Sequence, residues 1–320
     1  MYNPPPGNVP NPVMDLRSRL RPMGVGDIID ETFRLYRENF TLFLATCAVL
    51  EVPAQIISIL LMVNAGPLPR LNTSSGTISS DQLNNYLSRI GSYSAGTGIG
   101  SLIVLLVSLF ITAALAVVIS NRYLNRPVTV GDAYRAAMNR LGSLIGAILW
   151  VAVRIIGLVL LFIIAIFVLV SVNLGPLSIL LGLALVPVIV YLAISWSLIS
   201  PVIMLENVGG VAASKRSREL IRGYWWKAFG LFLVTGILVA ILSSIPNLVI
   251  GGLAGTGNIL LSSVLGAVVT LLLRPIQTGV SILLFYDLKI RKEAFDLEAM
   301  VQQIGGATPT SYTPPPTTDQ

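Results

Sequence analysis

Histidine is missing from all 320 residues. That removes the commonest general base and the commonest transition-metal ligand. Cysteine is nearly missing too: Cys47 stands alone inside an apolar run, so no intrachain disulfide and no paired-cysteine metal motif can form. Charge is scarce. Asp, Glu, Lys and Arg make up 11% of the chain, where a soluble domain carries about 25%. No phosphate-cradling glycine motif with its lysine is present, and the run GGLAGTGN reads as a tight turn between two apolar segments. No apolar run contains an aspartate in its interior, which excludes an intramembrane aspartyl protease. Together these absences leave no catalytic constellation, no metal site and no expected cofactor. Residues 1–39 hold no apolar run of signal-peptide type, so no cleaved leader is expected and the first apolar segment should serve as an uncleaved anchor.

What the chain does have is apolar length. Hydrophobic residues make up 54% of it, gathered into runs long enough for the roughly 20 residues that cross a bilayer core. The runs predict spans at about 40–63, 98–120, 143–170, 177–204, 228–250 and 258–287. The expected fold is therefore an all-α integral membrane protein of six transmembrane helices. Pro187 and Pro201 fall in the fourth span, and Arg274-Pro275 in the long sixth predicts a kink or tilt. Outside the membrane domain, 21–303, the proline-rich stretches 1–20 and 304–320 cannot form a core and read as disordered tails. The Ser-, Thr-, Asn- and Gly-rich segment 64–97 reads as a mobile exposed loop, with a short helix near DQLNNYLSRI as the alternative.

The net charge of +6 does not point to nucleic acid, because the basic residues cluster between apolar runs, where they act as topology signals. Arg17, Arg19, Arg21, Arg34 and Arg37 precede the first span. Arg122, Arg126, Arg135 and Arg140 follow the second, Lys215, Arg216, Arg218, Arg222 and Lys227 follow the fourth, and Lys289, Arg291 and Lys292 follow the sixth. The alternate loops hold only Arg70 and Arg89. Both termini are thus expected on the cytoplasmic side of the cell membrane.

A pattern recurs before alternate spans. Val25, Ile28, Ile29, Thr32, Phe33 and Tyr36 fall on one helical face, and Val130, Ala133, Tyr134, Ala137, Met138 and Leu141 repeat the steps. Each opens on a Gly-Asp pair, Gly26-Asp27 or Gly131-Asp132, with Thr129 and Asp132 spaced as a capping box. The stretch GGVAASKRSRELIRGYWWKAFG is a looser third copy, without the Gly-Asp pair. The expected architecture is three repeats, each an amphipathic cytoplasmic helix followed by two spans. Such helices suit the membrane boundary, and Trp225 and Trp226 suit the aromatic belt. Lys215, Arg216, Arg218 and Arg222 are the expected contacts to anionic lipid head groups, at about 1 kcal/mol each. The alternative role is packing against the inner ends of the spans. Asp287, Glu293, Asp296 and Glu298, set among Lys289, Arg291 and Lys292, read as a charged cytoplasmic helix.

Three ionisable residues fall inside spans: Glu51, Arg154 and Arg274. All lie about 16–20 Å from the cytoplasmic ends at ~1.5 Å per residue. An unpaired charge there costs at least ~2.5 kcal/mol, so such residues face the bundle interior and pair. The expectation is a Glu51–Arg154 or Glu51–Arg274 contact that fixes register, with the other arginine left for a carbonyl, a cavity or an anion, or snorkelling to the surface.

Three stretches, RPMGVGDIIDETFRLYRENF at 21–40, MLENVGGVAASKRSRELIRGYWWKAFG at 204–230 and LLFYDLKIRKEAFDLE at 283–298, resemble the membrane domain of the prokaryotic glycerophosphoryl diester phosphodiesterase family. The likeness covers about 21–303. It implies a stand-alone membrane domain, without the soluble phosphodiesterase part whose histidines and acidic metal ligands have no counterpart here. No functional residue carries over. The sequence thus predicts a non-enzymatic membrane domain for anchoring, assembly or interaction at the cytoplasmic leaflet. The rival is a transporter or channel for a small solute, anionic ones included. Lipid head-group metabolism rests on the resemblance alone.

Overall fold

Inside a bilayer every backbone N–H and C=O must be paired within the chain, and an uninterrupted apolar run does this by becoming a helix. The computed structural model describes residues 22–66, 79–253 and 259–293. The expected disordered tails lie outside them, as do Asp296 and Glu298. The elements are α1 (Val25–Glu38), α2 (Phe40–Asn64), α3 (Ser80–Tyr123), α4 (Val130–Asn139), α5 (Leu141–Ser171), α6 (Gly175–Ser195), α7 (Ile199–Glu206), α8 (Gly210–Ile221), α9 (Trp225–Leu253) and α10 (Ile259–Glu293). Six helical segments, with α6 and α7 counted as one, are long and apolar enough to cross a membrane. Among the described residues there is no strand.

The short helices α1, α4 and α8 each precede a pair of spans. Their starts are set by local capping. Asp27 Oδ2 accepts from the Gly24 N–H at 2.8 Å. Thr129 Oγ1 accepts from the Asp132 N–H at 3.2 Å and donates to Asp132 Oδ2 at 2.6 Å, which holds that carboxyl below its usual range. Asn125 and Asn207, closing α3 and α7, sit at φ 56° and 58°. This is the left-handed end of a helix, which asparagine tolerates.

The buried core lies at the end of the bundle where these short helices gather, called here the basic end. Ile28 and Leu35 of α1, Phe43 and Cys47 of α2, Ile111 to Tyr123 of α3 and Ile282 to Leu288 of α10 are packed there. Toward the far end the spans expose apolar side chains instead. Leu149, Val153, Leu161, Ile164 and Phe167 of α5 are all exposed, Phe167 to 72%. An apolar face of that extent needs lipid around it. The helix α10 is central, packing against α1, α2, α3, α8 and α9.

One expectation is corrected. The segment 80–97, expected as a loop, belongs to α3. Ser79 and Gln82 cap its start reciprocally, N–H to side-chain oxygen at 3.2 Å each way. The resulting 44-residue helix extends about 66 Å at ~1.5 Å per residue, so its polar first turns stand beyond the bilayer core. They are rich in Ser, Asn and Gly, and inherit the direction of the span they lead into. The fourth span, Gly175–Glu206, is a single apolar segment that carries an internal break at residues 196–198, where Pro201 withdraws a backbone donor. Ser217 of α8 bridges the break at two other backbone groups: its Oγ accepts from the Leu198 N–H at 3.2 Å and donates to the Ser195 carbonyl at 2.9 Å.

The close seat of α8 on α5 depends on Gly210. A Cβ there would lie 2.3 Å from the Ser143 carbonyl oxygen and 2.7 Å from the Ala147 nitrogen. Both are backbone atoms, so the helices themselves must move apart. Gly210→Ala is expected to lose about 1–3 kcal/mol. Thermal unfolding in detergent checks this, with Gly157→Ala in the interior of α5, where an added Cβ meets nothing within 4 Å, as the control that should lose no stability.

Candidate functional site at the basic end of the bundle

Asp287 is fully buried near the end of α10. It accepts from the Met23 N–H at 2.7 Å, from Lys227 Nζ and from Arg291 Nε at 3.0 and 3.1 Å. The Met23 carbonyl accepts in turn from Lys227 Nζ at 2.6 Å and Arg291 Nη2 at 2.9 Å. One carboxylate and two cations thus clasp the chain just before α1 to the start of α9 and the end of α10. Asp287 does lie on a helix with Lys289, Arg291 and Glu293, but with its side chain wholly buried. Its signal was present in LLFYDLKIRK: an acid inside an apolar and aromatic run, one turn before Arg291.

A second network joins α7, α8 and α10. Arg216 meets Glu206 through Nε at 2.8 Å and Nη2 at 3.1 Å, and also pairs with Glu293. Lys289 reaches Glu206 at 3.1 Å. The hydrogen bonds to Glu206 hold the Arg216 guanidinium charged well beyond its ordinary range. Of the four basic residues expected at lipid head groups, Arg216 is thus engaged within the protein, while the Lys215 and Arg218 side chains stand exposed on α8 and Arg222 stands exposed at its C-terminal end. The Arg218 guanidinium carbon lies 5.9 Å from the centre of a Trp196 ring at the break in the fourth span. Trp225, expected in an aromatic belt, stacks between Tyr191 at 5.8 Å and Phe229 at 5.3 Å, while Trp226 is 77% exposed.

Deeper in the bundle, Glu51 of α2 and Arg274 of α10 come together, with Oε2 and Nη2 2.9 Å apart. Glu51 Oε1 accepts from Gln55 Nε2 at 3.0 Å, and Arg274 Nη1 points to the Ser108 carbonyl of α3 at 3.4 Å. The approach of the two charges is electrostatic rather than a well-directed hydrogen bond, and Glu51 Oε2 and Arg274 Nε make none. Arg154 is elsewhere. The neighbours of α5 are mainly α6 and α8, so the alternative Glu51–Arg154 contact does not form. Arg154 is exposed, with its guanidinium 4.4 Å from the Trp150 ring one turn nearer the basic end. Similar depth put three charges in one layer, but depth carries no information about which helix faces which.

A cavity of about 200 Å³ adjoins Glu51, lined otherwise by Val52, Gln55, Ile56 and Ile59 of α2 and by apolar residues of α10. Among the described residues no cluster of three acids or thiols is placed to hold a metal ion. The site offers cation display and buried ion pairing. No curated protein and no solved structure matches the chain. Residues 16–289 do match one family, and the chain accordingly belongs to the domain of unknown function DUF8558.

Proposed function

We propose that the protein is a non-enzymatic membrane domain whose basic end, on the cytoplasmic side, is an interaction platform at the inner leaflet. The observation that carries this reading is the division of labour among cations on one packed end. Arg216 and Lys289 are engaged by Glu206 and Glu293, whereas Lys215 and Arg218 of α8 and Arg222 at its end remain exposed. The distribution of Lys and Arg along the sequence supports the orientation. The apolar lining beside Glu51 favours a platform over the rival, a solute path through the mid-bundle pair. The likeness to the membrane part of glycerophosphoryl diester phosphodiesterases accords with a membrane domain and adds no activity.

The three-unit architecture belongs to the same reading. Each short helix packs on the outgoing span of the unit before it, α4 on α3 and α8 on α7, and α1 closes the series by packing on α10. The first two contacts join sequence neighbours. The third brings together opposite ends of the chain in the same relation, which supports a closed ring of three units.

In nanodiscs, phosphatidylglycerol is expected to stabilise the protein over phosphatidylcholine. Replacing Lys215, Arg218 and Arg222 by Gln should remove most of that gain, about 1 kcal/mol per cation. An undiminished gain in the triple variant contradicts the platform. A steady anion flux in proteoliposomes that vanishes in Arg274→Met would instead establish the transporter.

A further inference from the structure

A larger cavity, about 440 Å³, lies among α3, α5 and the α6–α7 break. Its walls include Leu109, Ile148, Val151, Ala193, Trp196 and Ser200. The volume lies in the ordinary range for ligand sites, ~300–1,000 Å³. Its walls are almost wholly apolar, so water has little reason to fill it. Two polar groups break that pattern. Trp196 is 7% exposed, and its Nε1 is buried with no hydrogen-bond partner, as is Ser200 Oγ. The other hydroxyls in the wall are already committed, Thr112 to the Ser108 carbonyl at 2.8 Å and Ser197 to the Ile194 carbonyl at 2.8 Å. A buried indole N–H normally finds an acceptor. Just outside stands Arg218, over the Trp196 ring, exposed and without an ion pair among the described residues.

We propose that this cavity seats one acyl chain of a single anionic phospholipid from the leaflet at the basic end. The apolar walls take the chain, the Trp196 indole N–H and the Ser200 hydroxyl donate to an ester oxygen, and Arg218 meets the phosphate. The order of these groups along the site (cation, donor, apolar pocket) is the order of phosphate, ester and chain along a glycerophospholipid. The break at residues 196–198 then has a purpose. It frees Trp196 from the regular helix and places its ring between the membrane boundary and the cavity. This assignment rests on the platform reading and names the lipid contact within it.

The test uses the full chain with Trp150, Trp225 and Trp226 replaced by Phe, leaving Trp196 as the fluorophore. The protein is reconstituted in phosphatidylcholine vesicles carrying phosphatidylglycerol or phosphatidylcholine brominated near the carboxyl end of one chain. The brominated phosphatidylglycerol is expected to quench Trp196 at about five-fold lower mole fraction, as one ionic contact implies. Ala193→Phe fills the cavity from a lipid-exposed position and should abolish the preference without changing thermal unfolding. Arg218→Gln should remove the preference and keep residual quenching. Native mass spectrometry should find one retained phosphatidylglycerol per chain in the wild type and none in Ala193→Phe. Equal quenching by the two lipids, or retention of the lipid by Ala193→Phe, overturns the site. If the nanodisc stabilisation still depends on Lys215, Arg218 and Arg222, the pocket alone has failed and the platform stands.

Discussion

Asp287→Ala is expected to lower unfolding free energy by about 3–5 kcal/mol, the range for removing one partner from a buried charge cluster. The carboxylate is fully buried and serves the Met23 N–H, Lys227 and Arg291 together. Without it two cations face each other across the Met23 carbonyl, neither with a counter-charge, and a buried backbone N–H loses its acceptor. Asp287→Asn should cost less, because an amide oxygen still accepts from Met23 while the charge balance is lost. Thermal unfolding in detergent reads the effect, roughly 10 °C for the alanine variant at a few degrees per kcal/mol. Limited proteolysis gives an independent readout. Cleavage before α1 should rise in Asp287→Ala, since Met23 is no longer held against α9 and α10. A loss under ~1 kcal/mol with unchanged proteolysis would mean the clasp does not anchor the segment.

The six spans were legible because lipid imposes a length and a composition that hydropathy reads directly. So were the starts of α1 and α4, since Gly24–Asp27 and Thr129–Asp132 are capping patterns confined to four residues. The extension of α3 back to Ser80 was not. Its polar turns carry no span signal, and their helicity is continued from the apolar part. The break in the fourth span had a local cause in Pro201, yet its position follows from Ser217, which arrives from another helix. Arg216 looked like its neighbours Lys215 and Arg218 on the page. Only the packing of α7 and α10 beside it turned it inward to Glu206 and Glu293. The same holds for the seat of α8 on α5. It turns on backbone approach at Gly210, and an interface made by small residues in a membrane leaves no trace in hydropathy.

The pair Glu51–Arg274 separates a structural from an incidental charge. Arg274→Met should cost about 3–5 kcal/mol, because it strands a carboxylate that is 1% exposed. Glu51→Gln should cost less, since Arg274 keeps its approach to the Ser108 carbonyl and the new amide can still meet Gln55. The double variant, Glu51→Gln with Arg274→Met, should recover most of the loss. A neutral pair needs no counter-charge, and apolar replacement of a buried ion pair is often neutral or stabilising. The expected coupling is therefore about 2–3 kcal/mol, read from a double-mutant cycle of unfolding in detergent or bicelles. Arg154→Met is the internal control. Its guanidinium is exposed and rests on Trp150, so it should stay within ~0.5 kcal/mol of wild type. Additive single losses would show that the two charges act separately, and that α2 and α10 are held in register by apolar packing instead.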